Sequence, residues 1–453
     1  MVTHLIIQKS QLEGGLRLDA EYYQPEYLEL KNRLCKTESY KFWKDIKGNF
    51  ITGPFGSEFN VENYVLNGKY RYVRGKDVKE FFLSDDDNVY IPQKDFERLK
   101  KYSLKENDIL ISVVGTLGNA AIIDNSVPPA IFSCKSTVFR SESINPYYFI
   151  SYLNSLYGRK LLGRNVRGAV QTGLNIDDLR LLPVFIPPKQ QQELIGSLVS
   201  KAKEEYENTK LFYSQAEDLL LEELGLKDFE VGDDLSYVVN LSDLKLVNRI
   251  DAEYFQPKHE KLISKIKNQN IKKLADLVSI KKGIEIGSEK YQKEGKLFVR
   301  VSNLSKQGII DKDQKYLSEE LYQKLKKDFE PKAGEILLTK DATPGMAYLL
   351  KESIEGIIAG GILRLKPETK IEPEYLALVI NSIVGQSQVE RDTGGSVIIH
   401  WRPEQIKNCS IPILPKSTQQ KIADLVRQSH EARKKAKESL EQAKQKVEEL
   451  IEK

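Results

Sequence analysis

Arg17-Leu18-Asp19-Ala20-Glu21-Tyr22-Tyr23-Gln24-Pro25 returns as Arg249-Ile250-Asp251-Ala252-Glu253-Tyr254-Phe255-Gln256-Pro257, at an offset of 232 residues. Working outward, Ser10-Gln11-Leu12 returns as Ser242-Asp243-Leu244 at the same offset. Further along the offset settles at 227: Tyr148 matches Tyr375, Asn154-Ser155 matches Asn381-Ser382, Gly158 matches Gly385 and Arg164 matches Arg391. Gly168 pairs with Gly395, and Pro188-Lys189 with Pro415-Lys416. A period this long is not that of a solenoid or propeller, so each copy is expected to be a domain. Two diverged copies in one chain predict approximate two-fold symmetry, which double-stranded DNA shares.

Within each copy, short apolar runs such as 108–112 and 335–339 read as strands. Loop signals such as Gly53-Pro54-Phe55-Gly56-Ser57 and Thr343-Pro344-Gly345 separate them. Segments 147–157 and 375–384 have helical character behind Pro146 and Pro373. Each copy then changes texture. From Pro188 to Leu224 there is no further proline and a single glycine, and from Lys416 to Lys453 neither occurs. Apolar or small residues recur at steps of three and four: Ile195, Leu198, Ala202, Phe212, Ala216, Leu219, and Ile422, Leu425, Ser429, Ala432, Ala436, Ala443, Leu450. Glu205, Thr209, Ser439 and Lys446 interrupt this heptad spacing, and a parallel stripe of Val199, Tyr206, Tyr213 and Leu220 widens the first helix's apolar face. The expected fold is α+β, with two similar domains and two long helices pairing as an antiparallel coiled coil. The expected boundaries are 1–188, a central helix over 189–226, a connector and second domain over 227–415, and a C-terminal helix over 416–453.

The chain has 453 residues, 30% charged and 9% aromatic, as expected of a folded, soluble protein. Net charge is only +4, from 69 basic and 65 acidic residues, so any basic surface must be local. Three distant cysteines, Cys35, Cys134 and Cys409, suit free thiols in a reducing compartment. No apolar run approaches a membrane span, and the first residues lack a signal peptide's layout, so the expectation is cytoplasmic with no membrane. There is no phosphate-binding G-x-x-x-x-G-K-[ST] loop and no convincing glycine-rich dinucleotide or S-adenosylmethionine turn. Asn145-Pro146-Tyr147-Tyr148 faintly resembles the Asn-Pro-Pro-Tyr motif of adenine methyltransferases. A helix start explains it better. His4, His259, His400 and His430 form no metal-ligand spacing. Asp19-Glu21 and Asp251-Glu253 read as parts of a packed structural turn rather than acid–base pairs. No catalytic, cofactor or metal constellation is expected.

Two copies, each with an Arg-(Leu/Ile)-Asp-Ala-Glu-Tyr-(Tyr/Phe)-Gln-Pro opening, a variable α+β globule, a Pro-Lys-x-x-Gln-Gln-like entry and a long helix, resemble the specificity subunit of a Type I restriction-modification system. The entry stands here as Pro188-Lys189-Gln190-Gln191-Gln192 and Pro415-Lys416-Ser417-Thr418-Gln419-Gln420. The resemblance covers essentially the whole chain. It implies a non-catalytic DNA reader whose two target-recognition domains each read half of a split sequence in double-stranded DNA. It also implies docking of two methyltransferase (modification) subunits and of restriction/translocase subunits. S-adenosylmethionine, ATP and Mg would then reside on those partners, with none in this chain. The alternative is a coiled-coil scaffold joining two protein-binding globules that never meets nucleic acid.

The strongest local basic clusters lie in equivalent loops. Arg159, Lys160, Arg164, Arg167 and Gln171 in the first copy answer to Arg391, His400 and Arg402 in the second. Arginine and glutamine at glycine-rich turns suit phosphate clamps, base-edge hydrogen bonds and close backbone approach. Further candidates for DNA contact are Arg71, Arg74 and Lys76 in the first copy, and Lys281, Lys282, Arg300, Asn303 and Lys340 in the second.

Overall fold

A computed structural model describes residues 6–13, 17–55, 58–65, 67–167, 172–229, 236–247, 249–267, 269–310, 313–368, 370–393 and 399–453. The chain divides into two compact units. Unit 1 is Met1–Tyr206 with Lys434–Lys453, and unit 2 is Glu207–Arg433.

In unit 1, α1 (Pro25–Lys36) precedes strands β1 (Tyr40–Phe42), β2 (Asn49–Thr52), β3 (Tyr70–Val73) and β4 (Val89–Ile91). Helix α2 (Gln93–Arg98) leads to β5 (Ile109–Ser112), β6 (Ala120–Ile122), β7 (Ala130–Phe132) and β8 (Ser136–Arg140). Helices α3 (Pro146–Asn154), α4 (Leu156–Arg164) and α5 (Ile176–Arg180) come next, then β9 (Pro183–Phe185) and the long α6 (Lys189–Glu223). Strand order is β2-β8-β5-β6 in one sheet and β4-β3-β7 in another, with β1 paired to β9. Strand β5 is buried along its whole length, which explains its unbroken Ile-Leu-Ile run. Trp43 fills the core edge-on to Phe139 and Phe149, at 5.2 and 5.0 Å between ring centroids.

Unit 2 repeats this order. After α7 (Leu241–Val247) and α8 (Pro257–Ile266) come β10 (Ile271–Lys273), β11 (Val278–Lys282) and β12 (Lys296–Val299). A small hairpin, β13 (Leu304–Ser305) and β14 (Gly308–Ile309), precedes β15 (Lys315–Leu317) and α9 (Glu319–Phe329). Then follow β16 (Ile336–Thr339), β17 (Ala347–Leu349), β18 (Gly356–Ile358) and β19 (Ile362–Pro367). Helices α10 (Pro373–Asn381), α11 (Ile383–Asp392) and α12 (Pro403–Lys407), strand β20 (Ser410–Pro412) and α13 (Lys416–Glu452) complete it. Strand orders β11-β19-β16-β17 and β15-β12-β18, with β10 on β20, match unit 1 strand for strand.

The repeat extends to single hydrogen bonds. Buried Tyr148 donates to the Phe185 carbonyl and Tyr375 to the Pro412 carbonyl, each at 2.7 Å. Asn154 donates to the Ala120 carbonyl and Asn381 to that of Ala347. The Gln of each helix entry is explained as well. Gln192 donates to the Pro187 carbonyl and accepts from Asn145 N–H, while Gln419 donates to the Leu414 carbonyl and accepts from Glu372 N–H. Each long helix is thereby stapled to the start of α3 or α10.

The helical segments expected over 147–157 and 375–384 are each two helices. Ser155 and Ser382 stop the first and cap the second, their hydroxyls accepting from the N–H groups of Gly158 and Val384. A side chain at the next turn has no room: a Cβ on Gly158 would lie 2.1 Å from the Tyr152 carbonyl oxygen, and one on Gly385 2.2 Å from that of Ile380. Gly385→Ala is expected to destabilise unit 2 by about 1–3 kcal/mol through overpacking against backbone, read by chemical denaturation.

Helices α6 and α13 pack antiparallel. In unit 1, Ile195, Val199 and Ala202 share a core with Ala436, Leu440, Ala443, Val447 and Ile451. In unit 2, Ala216, Leu220 and Leu224 share one with Ile422 and Val426, and the Ser429 hydroxyl donates to the Thr209 carbonyl at 2.8 Å. The seam differs from the expected register. Buried or half-buried positions run 195, 199, 202, 206, 209, 213, 216, 220 in α6 and 422, 426, 429, 433, 436, 440, 443, 447 in α13. Val199, Tyr206, Tyr213 and Leu220 are therefore the seam's second line, while Leu198, Phe212, Leu219 and Leu425 flank it. The seam is thin because Ala202, Thr209, Ala216, Ser429, Ala436 and Ala443 occupy so much of it.

His430 of α13 sits against the Tyr348 ring, 5.6 Å between centroids, and neither ring nitrogen has a partner among the described residues. Burial, aided by Lys351 and Arg433 against the opposing Glu374, pushes its pKa down to about 4. The folded state keeps this ring neutral where an unfolded chain protonates it. Its contribution is thus intact above about pH 6.5 and is lost as the pH falls towards 4, by up to roughly 3 kcal/mol. Unit 2 should lose stability over that window, and His430→Leu should flatten the loss. An unchanged pH profile in the variant refutes this assignment.

Candidate nucleic-acid interface

The duplicated opening motif is a clamp. Arg17 grips Asp19 through both arms of its guanidinium and stacks over Tyr22 at 4.4 Å; Arg249 grips Asp251 and stacks over Tyr254 at 4.4 Å. These hydrogen bonds hold the Asp19 and Asp251 carboxyls below the usual carboxylate range. Both oxygens of each aspartate are held by its arginine, which supports the structural reading of Asp19 and Asp251. Arg164 from the end of α4 also stacks on Tyr22, at 3.9 Å, donates to the Tyr22 carbonyl and pairs with Glu13. Arg391 occupies the equivalent place, 5.5 Å from the Tyr254 ring and bonded to Asp392.

Beyond α4 and α11 the chain enters the Arg/Gly loops. Arg167 and Gly173 exchange backbone hydrogen bonds at 2.9 and 2.8 Å, closing the first loop at its root. Leu174 N–H then donates to the Val113 carbonyl. In unit 2, Ala342 N–H donates to the Ile399 carbonyl and Trp401 N–H to that of Lys340. Each loop root thus lies against the turn after β5 or β16. That turn needs left-handed backbone, with φ of +88° at Gly115 and +60° at Ala342.

Two further turns join the same place. The Thr116 hydroxyl donates to the carbonyl of Gly75, in the single turn Gly75–Asp77, and Val113 N–H donates to Lys135 in the β7–β8 turn. Gly53 closes over Ser133, where a Cβ would meet its carbonyl oxygen at 2.4 Å. In unit 2, Lys340 N–H donates to the Gly361 carbonyl, and a Cβ on Gly283 would meet the Ala359 oxygen at 2.2 Å. Residues more than 100 positions apart in sequence therefore share one loop cluster per unit.

The candidate side chains divide by environment. Lys281, Lys282 and Arg402 are exposed and form no ion pair among the described residues. Arg167 is half-exposed and held by buried Asp178, and Arg159 bonds Asn119 and the Gly118 carbonyl. Lys160 pairs with Glu26 of α1. Arg74 and Arg300 are counterparts: each donates its backbone N–H to the third residue of its turn, Asp77 or Asn303, and each side chain reaches Asp87 or Asp313. Lys76 also pairs with Asp87, at 2.7 Å. Lys340 and His400 both bind Asp341; burial would raise that carboxyl, but these two partners hold it below the usual range.

Three placements correct the expectation of surface groups. Arg71 is 1% exposed, because β3 is the central strand of its sheet and the acidic run 85–87 folds over it through Asp85. Asn303 is fully buried as the side chain that accepts from Arg300 N–H. Arg164 is 5% exposed within the Tyr22 clamp. Gln171 lies outside the described residues. Sequence reading missed Lys135, an exposed cation in the β7–β8 turn with no ion pair among the described residues. A lone lysine between two strands carries no sequence signal.

Two equivalent α+β units, each gathering glycine-turn loops with cations of differing kind, and each joined to both long helices, define a tandem recognition-domain protein. The chain belongs to the family of the Type I restriction modification DNA specificity domain, whose family model matches residues 50–211 and again 266–443. Among solved structures it is similar to the Type-I restriction-modification system S subunit from M. genitalium, at 15% identity and TM-score 0.43, covering 91% of this chain and 94% of that one. It is also similar to the HsdS subunit from Thermoanaerobacter tengcongensis, at 12% identity and TM-score 0.28, covering 92% and 97%. No helix among the described residues is long and apolar enough to cross a membrane.

Proposed function

We propose that this chain is the sequence-reading subunit of a Type I restriction-modification complex, acting in the cytoplasm on double-stranded DNA. Each unit reads one block of a bipartite target with its loop cluster. Helices α6 and α13 set the unread gap and dock two methyltransferase subunits, and restriction/translocase subunits join that assembly. S-adenosylmethionine, ATP and Mg belong to those partners, and chemistry is left to them. The observation that carries this reading is the family match in both halves of the chain.

The DNA-facing set we favour is Lys281, Lys282, Arg300, Lys340, His400 and Arg402 in unit 2, and Arg74, Lys76, Lys135 and Arg167 in unit 1. Arg71, Arg164 and Asn303 serve as internal supports. Many of these cations already carry an acidic partner, which keeps the non-nucleic-acid scaffold as the competing reading. Mapping methylated adenines in host DNA with the gene present and deleted decides between them. Loss of one split motif on deletion supports the reader, and an unchanged methylome supports the scaffold.

A further inference from the structure

The opening motif does more than pack. Arg17 is 8% exposed, and after gripping Asp19 it still donates to the carbonyls of Asn165 and Val166, at 3.4 and 3.2 Å. Those carbonyls immediately precede Arg167, where the first Arg/Gly loop begins. Arg249 donates in the same way to the carbonyl of Asp392, at 3.1 Å. Asp392 is the counterpart of Asn165 at the offset of 227, whereas Arg249 is the counterpart of Arg17 at 232. The same bond has been kept in both copies although the intervening chain differs in length.

The chemistry explains why arginine stands there. One planar guanidinium forks a carboxylate, stacks on an aromatic face and retains N–H groups for carbonyls, which a lysine ammonium does not do together. The acceptors are backbone atoms, so the anchor is indifferent to the side chains of the loop it holds. Gly168-Ala169-Val170-Gln171 and Gly394-Gly395-Ser396-Val397-Ile398 can therefore differ while their roots are fixed alike.

We infer that Arg17 and Arg249 are positioning residues: each sets the root of its unit's Arg/Gly loop through backbone carbonyls, so that base reading in one half-site depends on one motif arginine. This rests on the proposed DNA-reading function.

The test compares host methylomes carrying the full-length gene as wild type, deletion, Arg17→Lys, Arg249→Lys and Tyr148→Phe. Tyr148→Phe removes a buried unit 1 hydrogen bond, to the Phe185 carbonyl, that is not part of the loop root and controls for lost stability. Arg17→Lys should weaken base discrimination in one block of the target by about tenfold, the size of one misplaced base contact, and leave the other block intact. Arg249→Lys should do the same to the other block, and Tyr148→Phe should alter neither base preference. Unchanged preference in both lysine variants overturns the positioning role while the reading function stands. So does an equal loss in both blocks, or the same loss in Tyr148→Phe, each of which marks a general folding defect. A deletion that removes no motif overturns the reading function, and the positioning role with it.

Discussion

Arg364→Ala is expected to destabilise unit 2 by about 3–5 kcal/mol, because it strands a buried carboxylate. Arg364 lies in β19 between β11 and β16, 5% exposed, with two hydrogen bonds of 2.8 Å to Glu335 and a third of 2.7 Å to the Asp328 carbonyl. Glu335 is 7% exposed, and besides Arg364 its carboxylate accepts only from Lys332 N–H among the described residues. Replacing both partners, as Arg364→Met with Glu335→Leu, should recover most of the loss, since an apolar pair there needs no compensating charge. Asp108, the unit 1 counterpart of Glu335, is paired from a different strand position and more mildly. Arg140 forks fully buried Asp108 at 2.6 and 2.7 Å but keeps 29% of its side chain in water, so water can partly replace it.

The measurement is built into the chain, whose two tryptophans are divided one per unit. Trp43 is buried in unit 1 and Trp401 in unit 2. In a Trp43→Phe background, denaturation followed by fluorescence reports unit 2 alone. A shift below about 1 kcal/mol for Arg364→Ala would mean that the carboxylate finds water or a proton, and that the pair is not structural.

Under the proposed function, lengthening α6 and α13 together is expected to lengthen the unread gap of the DNA target and leave the two blocks it separates unaltered. One heptad inserted after Tyr206 and one after Arg433 fall on the boundaries between the two units, so each unit retains its own residues. Seven residues keep the 195–199–202–206 seam in phase, and each helix grows by ~10 Å. At ~3.4 Å per base pair that corresponds to about three extra unread pairs. The predicted quantity is the sign of this change. Methylome sequencing reads both gap and blocks at once. An altered block with an unchanged gap removes the helices from any spacing role.

Much of this molecule is legible in one dimension. The duplicated motif, the element order inside each copy and the helices opening at Lys189 and Lys416 all rest on local signals: residue identity, proline placement and apolar spacing. Even the structural character of Asp19 and Asp251 was readable from the Tyr-Tyr-Gln-Pro and Tyr-Phe-Gln-Pro that follow them; that the arginine two positions earlier is the partner came from the fold. Folding in three dimensions settled the rest. Steps of three and four both fit an α-helix, so periodicity put Leu198 in the seam and Val199 beside it, and the facing helix exchanged the two. Arg71 and Arg164 carry the same charge as Lys281 and Arg402. The first is drawn inward by the central position of its strand and the run 85–87 over it, the second by the Tyr22 clamp. The loop clusters, too, join residues more than 100 positions apart, and no local pattern encodes which distant turn will supply a carbonyl. Periodicity and composition act over a few residues. Burial and ion pairing depend on what the rest of the chain places opposite, and that neighbour exists only once the chain has folded.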